Sequence, residues 1–263
     1  MRFILCYVLA HFQAHSTLRS KVILLFFLRG LLIFNNMELF STKQNPISEL
    51  YNMNCIDGMK HYPDKYFDLA ICDPPYGIGL VKTENGSWGI RKPEQKQTAS
   101  KTFDWDFEKP TKEYIVELFR VSNNQILFGA NHYIEVVPYN SSCWLVWDKM
   151  NGDSYYADCE LAWTSFDTAT RKIKCKWGGA NSHREGKRIH ATQKPIALYR
   201  FLLEKYAEKG QKILDTHLGS GSSRIAAYKM GFDFVGFEID TEMCKQSDIR
   251  FKNALLQSEL SFI

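Results

Sequence analysis

The stretch Tyr66-Phe67-Asp68-Leu69-Ala70-Ile71-Cys72 runs without a break into Asp73-Pro74-Pro75-Tyr76-Gly77. A short, nearly continuous apolar run bounded by turn residues is the pattern of a strand buried on both faces. Prolines cannot donate to a sheet ladder and lock φ at about −65°, so two in a row end the strand and freeze the chain just past the sheet edge. The Asp73 carboxylate and the Pro74 carbonyl then point in fixed directions. A plain surface turn capped by Asp73 is the alternative for this segment alone.

The rest of the chain repeats the theme of strand and helix. Further strands are predicted at Gln125 to Phe128, Cys143 to Trp147, Cys159 to Thr164, Ile213 to Asp215 and Phe234 to Glu238. Between them lie amphipathic stretches at Thr111 to Val121, Ile196 to Glu208, Ser222 to Met230 and Thr241 to Leu256, with Lys209-Gly210 as a helix stop. Strands alternating with helices predict an α/β fold whose sheet carries helices on both faces. A length of 263 residues with 45% apolar content suffices for one sizeable core.

Residues 1–36 stand apart. Val22 to Leu28 and Leu31 to Phe34 are apolar, but Arg29 interrupts them. A spanning helix needs about 20 apolar residues, and no small-residue cleavage site follows. The expectation is a leader outside the native fold, with Met37 as the native start and no membrane anchor. The seven cysteines form an odd set without C-x-x-C pairs, which suits reduced thiols in a cytosol.

A formal net charge of +4 names no partner, so its distribution matters more. From Arg171 to His190 the bases Arg171, Lys172, Lys174, Lys176, Arg184, Lys187 and Arg188 face a single acid, Glu185. A weaker excess at Lys82, Arg91, Lys92, Lys96 and Lys101 falls in a segment without apolar periodicity, read here as a long mobile loop. Such patches suit phosphates, although a solvated surface has the same composition.

A second chemical locus lies near the C-terminus. Lys212-Ile213-Leu214-Asp215-Thr216-His217-Leu218-Gly219-Ser220-Gly221-Ser222-Ser223 reads as a strand, a glycine turn and a helix start, where free backbone N–H groups meet a ligand. Glu238 follows 19 residues after Gly219, at a strand end, where an acid can hold both ribose hydroxyls of a nucleoside. Arg224 occupies the position of a third glycine, so a dinucleotide pyrophosphate fits poorly. S-adenosyl-L-methionine carries no phosphate and suits the turn; Asp215 would face its ammonium, and Gly219 and Gly221 would let it lie close.

Asp73-Pro74-Pro75-Tyr76 matches what an exocyclic amine of a base requires. The amine lone pair is delocalised into the ring, and two acceptors on its N–H groups push the nitrogen toward a nucleophilic, tetrahedral form. Asp73 and the Pro74 carbonyl can be those acceptors, and Tyr76 can stack on a flipped-out base, offsetting an unstacking cost of a few kcal/mol. In-line alignment supplies much of the rate. A C5-cytosine methyltransferase would need a Pro-Cys nucleophile, and the chain has no such pair.

Together these residues resemble the beta-group amino-methyltransferases of DNA (the N-4/N-6 methylase family), in which D-P-P-Y precedes the glycine loop. The likeness runs from about Glu49 to the C-terminus. It implies a Rossmann-like methyltransferase fold with a mostly parallel seven-stranded sheet, S-adenosyl-L-methionine as cofactor, and double-stranded DNA as partner. By the same resemblance the catalytic set is Asp73, Pro74, Pro75 and Tyr76. The cofactor set is Asn54, Cys55, Asp73, Thr192, Lys194, Asp215, Gly219, Gly221, Ser222 and Glu238, with His190-Ala191-Thr192-Gln193-Lys194-Pro195 matching the family's T-Q-K-P element. That element also reads as a helix start, with Thr192 as cap and Pro195 in the first turn. Asn54 stands where the family often has Asp, and His217 falls in a position better suited to packing or hydrogen bonding than to a general base.

One methyltransferase domain from 37 to 263 is expected, with recognition assigned to inserts 82–109 and 150–189. Lys82, Arg91, Lys92, Lys174, Lys176, Arg184, Lys187 and Arg188 are the expected DNA contacts, with Trp88, Trp105 and Trp177 for stacking. The resemblance also allows a homodimer and a restriction endonuclease encoded elsewhere. Asp rather than Ser at position 73 favours N6 of adenine over N4 of cytosine, and Asp rather than Asn disfavours RNA or protein substrates. A dehydrogenase would leave D-P-P-Y without a use. A catalytically silent DNA-binding subunit is the other alternative.

Overall fold

The computed structural model describes residues 45–82, 88–90, 106, 108–152, 157–176, 188–190 and 192–260, with the backbone alone at 80–82, 88–90 and 258–260. Its strands are β1 (Ser48–Tyr51), β2 (Phe67–Cys72), β3 (Leu80–Lys82), β4 (Trp88–Ile90), β5 (Ser122–Phe128), β6 (Leu145–Asp148), β7 (Cys159–Thr164), β8 (Arg171–Lys174), β9 (Lys212–Asp215) and β10 (Asp233–Phe237). The helices are α1 (Cys55–Met59), α2 (Lys112–Val121), α3 (Ile196–Tyr206), α4 (Ser222–Met230) and α5 (Thr241–Leu260). The main sheet has the order β1-β10-β9-β2-β5-β7-β6-β8, and β3 and β4 form a separate antiparallel pair.

The sheet thus has eight strands, one more than the seven expected. The extra count comes from the edges. β1 alternates half-buried and exposed residues, and β8 buries Ile173 alone among Arg171, Lys172 and Lys174, so neither carries the apolar run that marks an inner strand. The basic segment read as a phosphate patch is therefore in part an edge strand, where lysines also deter pairing with another chain. β4 and the last residue of β3 likewise fall in the segment from Lys82 to Lys101 that the sequence suggested was a long mobile loop. In the main sheet β7 runs antiparallel to both β5 and β6, and that sheet's other pairings are parallel.

Alternation along the inner strands explains their unbroken apolar character. Leu69 and Ile71 of β2, Ile126 and Phe128 of β5, Ile213 of β9 and Phe234 of β10 pack with Leu198 and Leu202 of α3 and Ala226 of α4. Ala70, Cys72, Leu127, Leu214, Val235 and Phe237 point the other way, onto Met59 of α1 and Tyr114, Ile115 and Leu118 of α2. Both faces are thus covered, as parallel sheets require.

Local chemistry sets the helix limits. The Thr111 hydroxyl accepts the Tyr114 N–H at 3.2 Å to cap α2, and its buried residues Tyr114, Ile115, Leu118 and Val121 recur at helical spacing. Pro195, with ψ of 142°, occupies the N-cap position of α3, in place of the Thr192 cap expected. Arg224, inside α4, donates to the Ser48 hydroxyl at 3.0 Å, pairs with Asp248 of α5 at 2.9 Å and lies over the Phe251 ring, clamping β1, α4 and α5 together. Residues 1–36 lie outside the described residues, and no described helix is long and apolar enough to cross a membrane.

Gly58 in α1 packs so close to the Phe237 ring that a Cβ would collide with it. Alanine is favoured over glycine inside a helix by about 1 kcal/mol, whereas overpacking a core costs about 1–3 kcal/mol. Gly58→Ala is therefore expected to lower stability on balance, read as a reduced urea midpoint with an unchanged slope.

Candidate active site

The carboxyl ends of β2, β5, β6, β9 and β10 meet at one edge of the sheet, and the start of the reversed β7 joins them there. This is the edge where open α/β sheets bind ligands, because successive chain reversals leave a crevice there. Asp73 follows β2, Gly129 follows β5, Lys149 follows β6, Gly219 follows β9 and Glu238 follows β10, while Glu160 is the second residue of β7.

Asp73 sits in a closed set of charges. The Tyr76 hydroxyl donates to its Oδ1 at 2.6 Å, and the Lys194 ammonium pairs with its Oδ2 at 2.5 Å. Lys194 also reaches Glu160 Oε2 at 3.1 Å, and Lys149 pairs with Glu160 Oε1 at 2.7 Å. Lys194 is buried under the Phe128 ring, with Nζ 4.8 Å from its centroid. Burial raises the Asp73 carboxyl above its usual range and Glu160 adds to this, while Lys194 opposes both. Burial would also raise Glu160, but the Lys194 and Lys149 charges hold it below its ordinary value. Burial lowers Lys194, yet Asp73 and Glu160 more than offset that and keep it charged.

The turn after β2 is braced from outside. Asp106 Oδ1 accepts the Tyr76 N–H at 2.8 Å and the Gly77 N–H at 3.2 Å, and the Asp106 carbonyl accepts the Gly79 N–H at 2.9 Å. The Tyr76 ring lies parallel to His132, with centroids 5.2 Å apart. Gly129, at φ of 67°, leaves room for that ring, since a Cβ there would strike it.

The glycine turn forms the other wall. Gly219 and Gly221 have φ of 51° and 75°, a region that side chains disfavour. Open space surrounds the position of a Gly219 Cβ. Glu238 accepts the Gly219 N–H at 2.8 Å and the Asp240 N–H at 2.9 Å, and burial raises its pKa. Asp215 is fully enclosed: it accepts the Ser223 hydroxyl at 2.5 Å and the His217 N–H at 3.0 Å. Burial lifts its carboxyl to about 7, with Asp73 and Glu238 adding to the cost of ionisation. Arg250 supports the turn from α5, donating to the Ser220 carbonyl at 2.8 Å and the Ser222 hydroxyl at 3.0 Å.

Around this wall the remaining residues of the expected cofactor set are placed as follows. Asn54 caps α1 by accepting the Ile56 N–H at 2.8 Å, and Cys55 Sγ lies 3.9 Å from His217 Nε2. Burial pushes the Cys55 thiol up to about 12. His217 shares a hydrogen bond with Thr216, which shares another with Tyr114. The Thr192 hydroxyl and the His190 ring are 3.1 Å apart.

The basic residues are more scattered. Lys174 and Lys176 are exposed at the end of β8 and just beyond, and Arg188 is exposed. Lys82 ends β3, and Trp88 begins β4. Arg91, Lys92, Arg184, Lys187, Trp105 and Trp177 lie outside the described residues. Sequence reasoning missed Glu160, Lys149, Asp106, His132 and Arg250. Asp148-Lys149 after an apolar run, and Glu160 inside a strand otherwise bound for the core, were the available signals: a charge in such a strand needs a partner.

Known proteins resemble this chain over most of its length. The family of DNA methylases of the N6/N4 type matches residues 142–248, which span Lys149, Glu160, Lys194, Gly219 and Glu238. The type II methyltransferase M2.MboI of Moraxella bovis is 22% identical over 77% of this chain and 86% of its own length. Among solved structures, TTHA0409 of Thermus thermophilus, complexed with S-adenosyl-L-methionine, superimposes with a TM-score of 0.51 at 16% identity, covering 79% of this chain and 94% of that one. The PvuII DNA methyltransferase, specific for cytosine N4, gives 0.50 at 12% identity over 78% of this chain and 87% of its own. The chain has the Rossmann-like fold of these methyltransferase structures. Within that fold, residues 142–248 are similar to the N6/N4 DNA methylases.

Burial holds His190 and His217 down to about 4, so both are neutral in the folded protein. Unfolded histidine titrates at about 6.5, so the stability these rings contribute is present above that pH and is lost as the pH falls toward 4. The difference in unfolding free energy between the wild type and His217→Gln is therefore expected to shrink between pH 7 and pH 4, measured by urea titration across that series.

Proposed function

We propose that this protein transfers a methyl group from S-adenosyl-L-methionine to the N6 amino group of an adenine flipped out of double-stranded DNA. The observation that carries the reading is the Asp73 carboxylate, held at the β2 end beside the Pro74 carbonyl and on the same sheet edge as the Gly219 turn and Glu238. The residues present fit the cofactor. Gly219 leaves open space where a ligand can lie, Glu238 has lone pairs left for ribose hydroxyls beyond the two amides it accepts, and Asp215 is a buried acid whose ionisation a cationic ligand would favour. When bound, the cofactor supplies an electrophilic methyl on a sulfonium.

The protein's own groups do the rest. The amino group of the base takes the place of the Tyr76 hydroxyl on Asp73 Oδ1, and the Pro74 carbonyl accepts its second N–H. Tyr76, freed from Asp73, stacks on the base. Both acceptors draw the nitrogen lone pair out of conjugation, which raises its nucleophilicity where the methyl is delivered. Lys174, Lys176 and Arg188, with Lys82, Arg91, Lys92, Arg184 and Lys187, supply phosphate contacts from one methyltransferase domain spanning 37 to 263.

The test is to incubate the chain from Met37 with labelled cofactor and unmethylated DNA, then digest to nucleosides. Label in N6-methyladenosine is expected. Label in N4-methylcytosine would replace adenine by cytosine as the target, and cofactor binding without transfer would leave a DNA-binding subunit. Asp73→Ala is expected to cut transfer at least about a hundredfold while cofactor binding persists; retained activity would overturn the mechanism.

A further inference from the structure

We propose that Glu160 is a positioning residue for methyl transfer: by holding Lys194 against one oxygen of Asp73, it keeps the other oxygen available to the target amino group. The inference rests on the methyl-transfer reading above. Glu160 lies 84 residues from Tyr76 in sequence and belongs to neither the D-P-P-Y turn nor the glycine turn.

The argument begins with the three protons of the Lys194 ammonium. They face three acceptors: Asp73 Oδ2 at 2.5 Å, Glu160 Oε2 at 3.1 Å and Tyr76 Oη at 3.3 Å. An ammonium donates three hydrogen bonds and accepts none, so these partners determine its orientation. Glu160 is anchored in turn, because Lys149 holds its other oxygen at 2.7 Å and β7 pairs Glu160 with Trp147 of β6. The result is that Lys194 meets Asp73 through Oδ2, while Oδ1 carries the exchangeable Tyr76 hydroxyl. With Glu160 neutral, a second ammonium proton would turn to Asp73 and compete for Oδ1.

Charge balance points the same way. Two carboxylates and two ammonium groups make the cluster neutral, and side-chain exposure is 17% for Asp73, 21% for Glu160 and 3% for Lys194. Loss of the Glu160 charge would leave an excess positive charge beside Asp73, weakening it as an acceptor and removing one of the two anions that keep Lys194 charged. The other titratable groups facing the cluster are Tyr76 beyond β2, Tyr199 on α3, which feels both Asp73 and Glu160, Tyr133 and Asp215, which feel Asp73, and His190, which feels Lys194. All three tyrosines lie well above their ordinary range and His190 well below its own, and Asp215, lifted by burial to about 7, is ionised on the alkaline side of neutrality, so none of these groups changes charge in the alkaline range where the profiles are compared.

The experiment compares full-length wild type, Glu160→Gln and Glu160→Asp in steady-state transfer to DNA, with pH–rate profiles, KM for the cofactor and Tm. Glu160→Gln is expected to lower kcat about tenfold or more with the cofactor KM within about twofold of wild type. Its rate is also expected to decline at alkaline pH where the wild-type profile stays flat, because Lys194 has lost an anion. Glu160→Asp keeps the charge and is expected to restore the flat profile, with kcat between the other two. A folded Glu160→Gln with wild-type kcat and profile would overturn the inference, as would a drop in Tm alone. Should Glu160→Gln fail to fold, Glu160→Asp decides: reduced kcat at unchanged KM supports the role, and wild-type kcat overturns it. If the wild type transfers no methyl group, the functional reading fails first and this inference fails with it; an unaffected variant beside an active wild type defeats this inference alone.

Discussion

The central strands β10, β9, β2 and β5 are parallel and covered on both faces, so their side chains are committed to packing and none is free for chemistry until each strand ends. Parallel order means that they end on the same side. That single constraint gathers Asp73, Gly129, Asp215, Gly219 and Glu238 at one edge although the sequence scatters them. The reversed strand β7 completes the arrangement, because running backward delivers its beginning, and hence Glu160, to the edge where its neighbours finish.

Two kinds of electrostatics coexist at that edge. On one side is a compensated cluster of Asp73, Glu160, Lys149 and Lys194, in which each buried charge has an opposite charge within 3.1 Å. On the other are Asp215 and Glu238, carboxyls that accept hydrogen bonds but face no cation in the described ion pairs, and burial raises both. The first arrangement is complete in itself and suits rigid orientation. The second costs energy that a cationic, hydroxyl-bearing ligand would recover, which is why the proposed cofactor belongs there and the proposed target amine at Asp73.

Much of the architecture could be read from the chain. β2, β7 and α4 have the limits that apolar runs and turn residues indicate, and α2 begins one residue after its Thr111 cap. Elements whose apolar signal is weak were hidden: β1 and β8 at the sheet edges, the five-residue α1, and the polar first half of β5, where Asn123 turns its amide to the carbonyls of Lys65 and Phe67. Edge strands need bury one face at most, so their composition looks like surface. The same reason gives Arg171 to Lys174 the composition of a basic patch, within which Lys172 pairs with Asp148 at 2.9 Å.

The sequence by itself determined the chemistry on offer: a rigid Asp73-Pro74-Pro75-Tyr76 turn, a glycine turn, and an acid 19 residues beyond it, because proline, glycine and strand-end spacing act through local backbone geometry. Tertiary structure decided which charges meet. Lys194, just ahead of α3, pairs with both Asp73 and Glu160, and a strand running against the sheet delivers Glu160 to it; no local pattern encodes a meeting of residues that lie 84 and 118 positions from Tyr76. Buried charges are held by partners in space, and spatial proximity at that range is a property of the folded sheet.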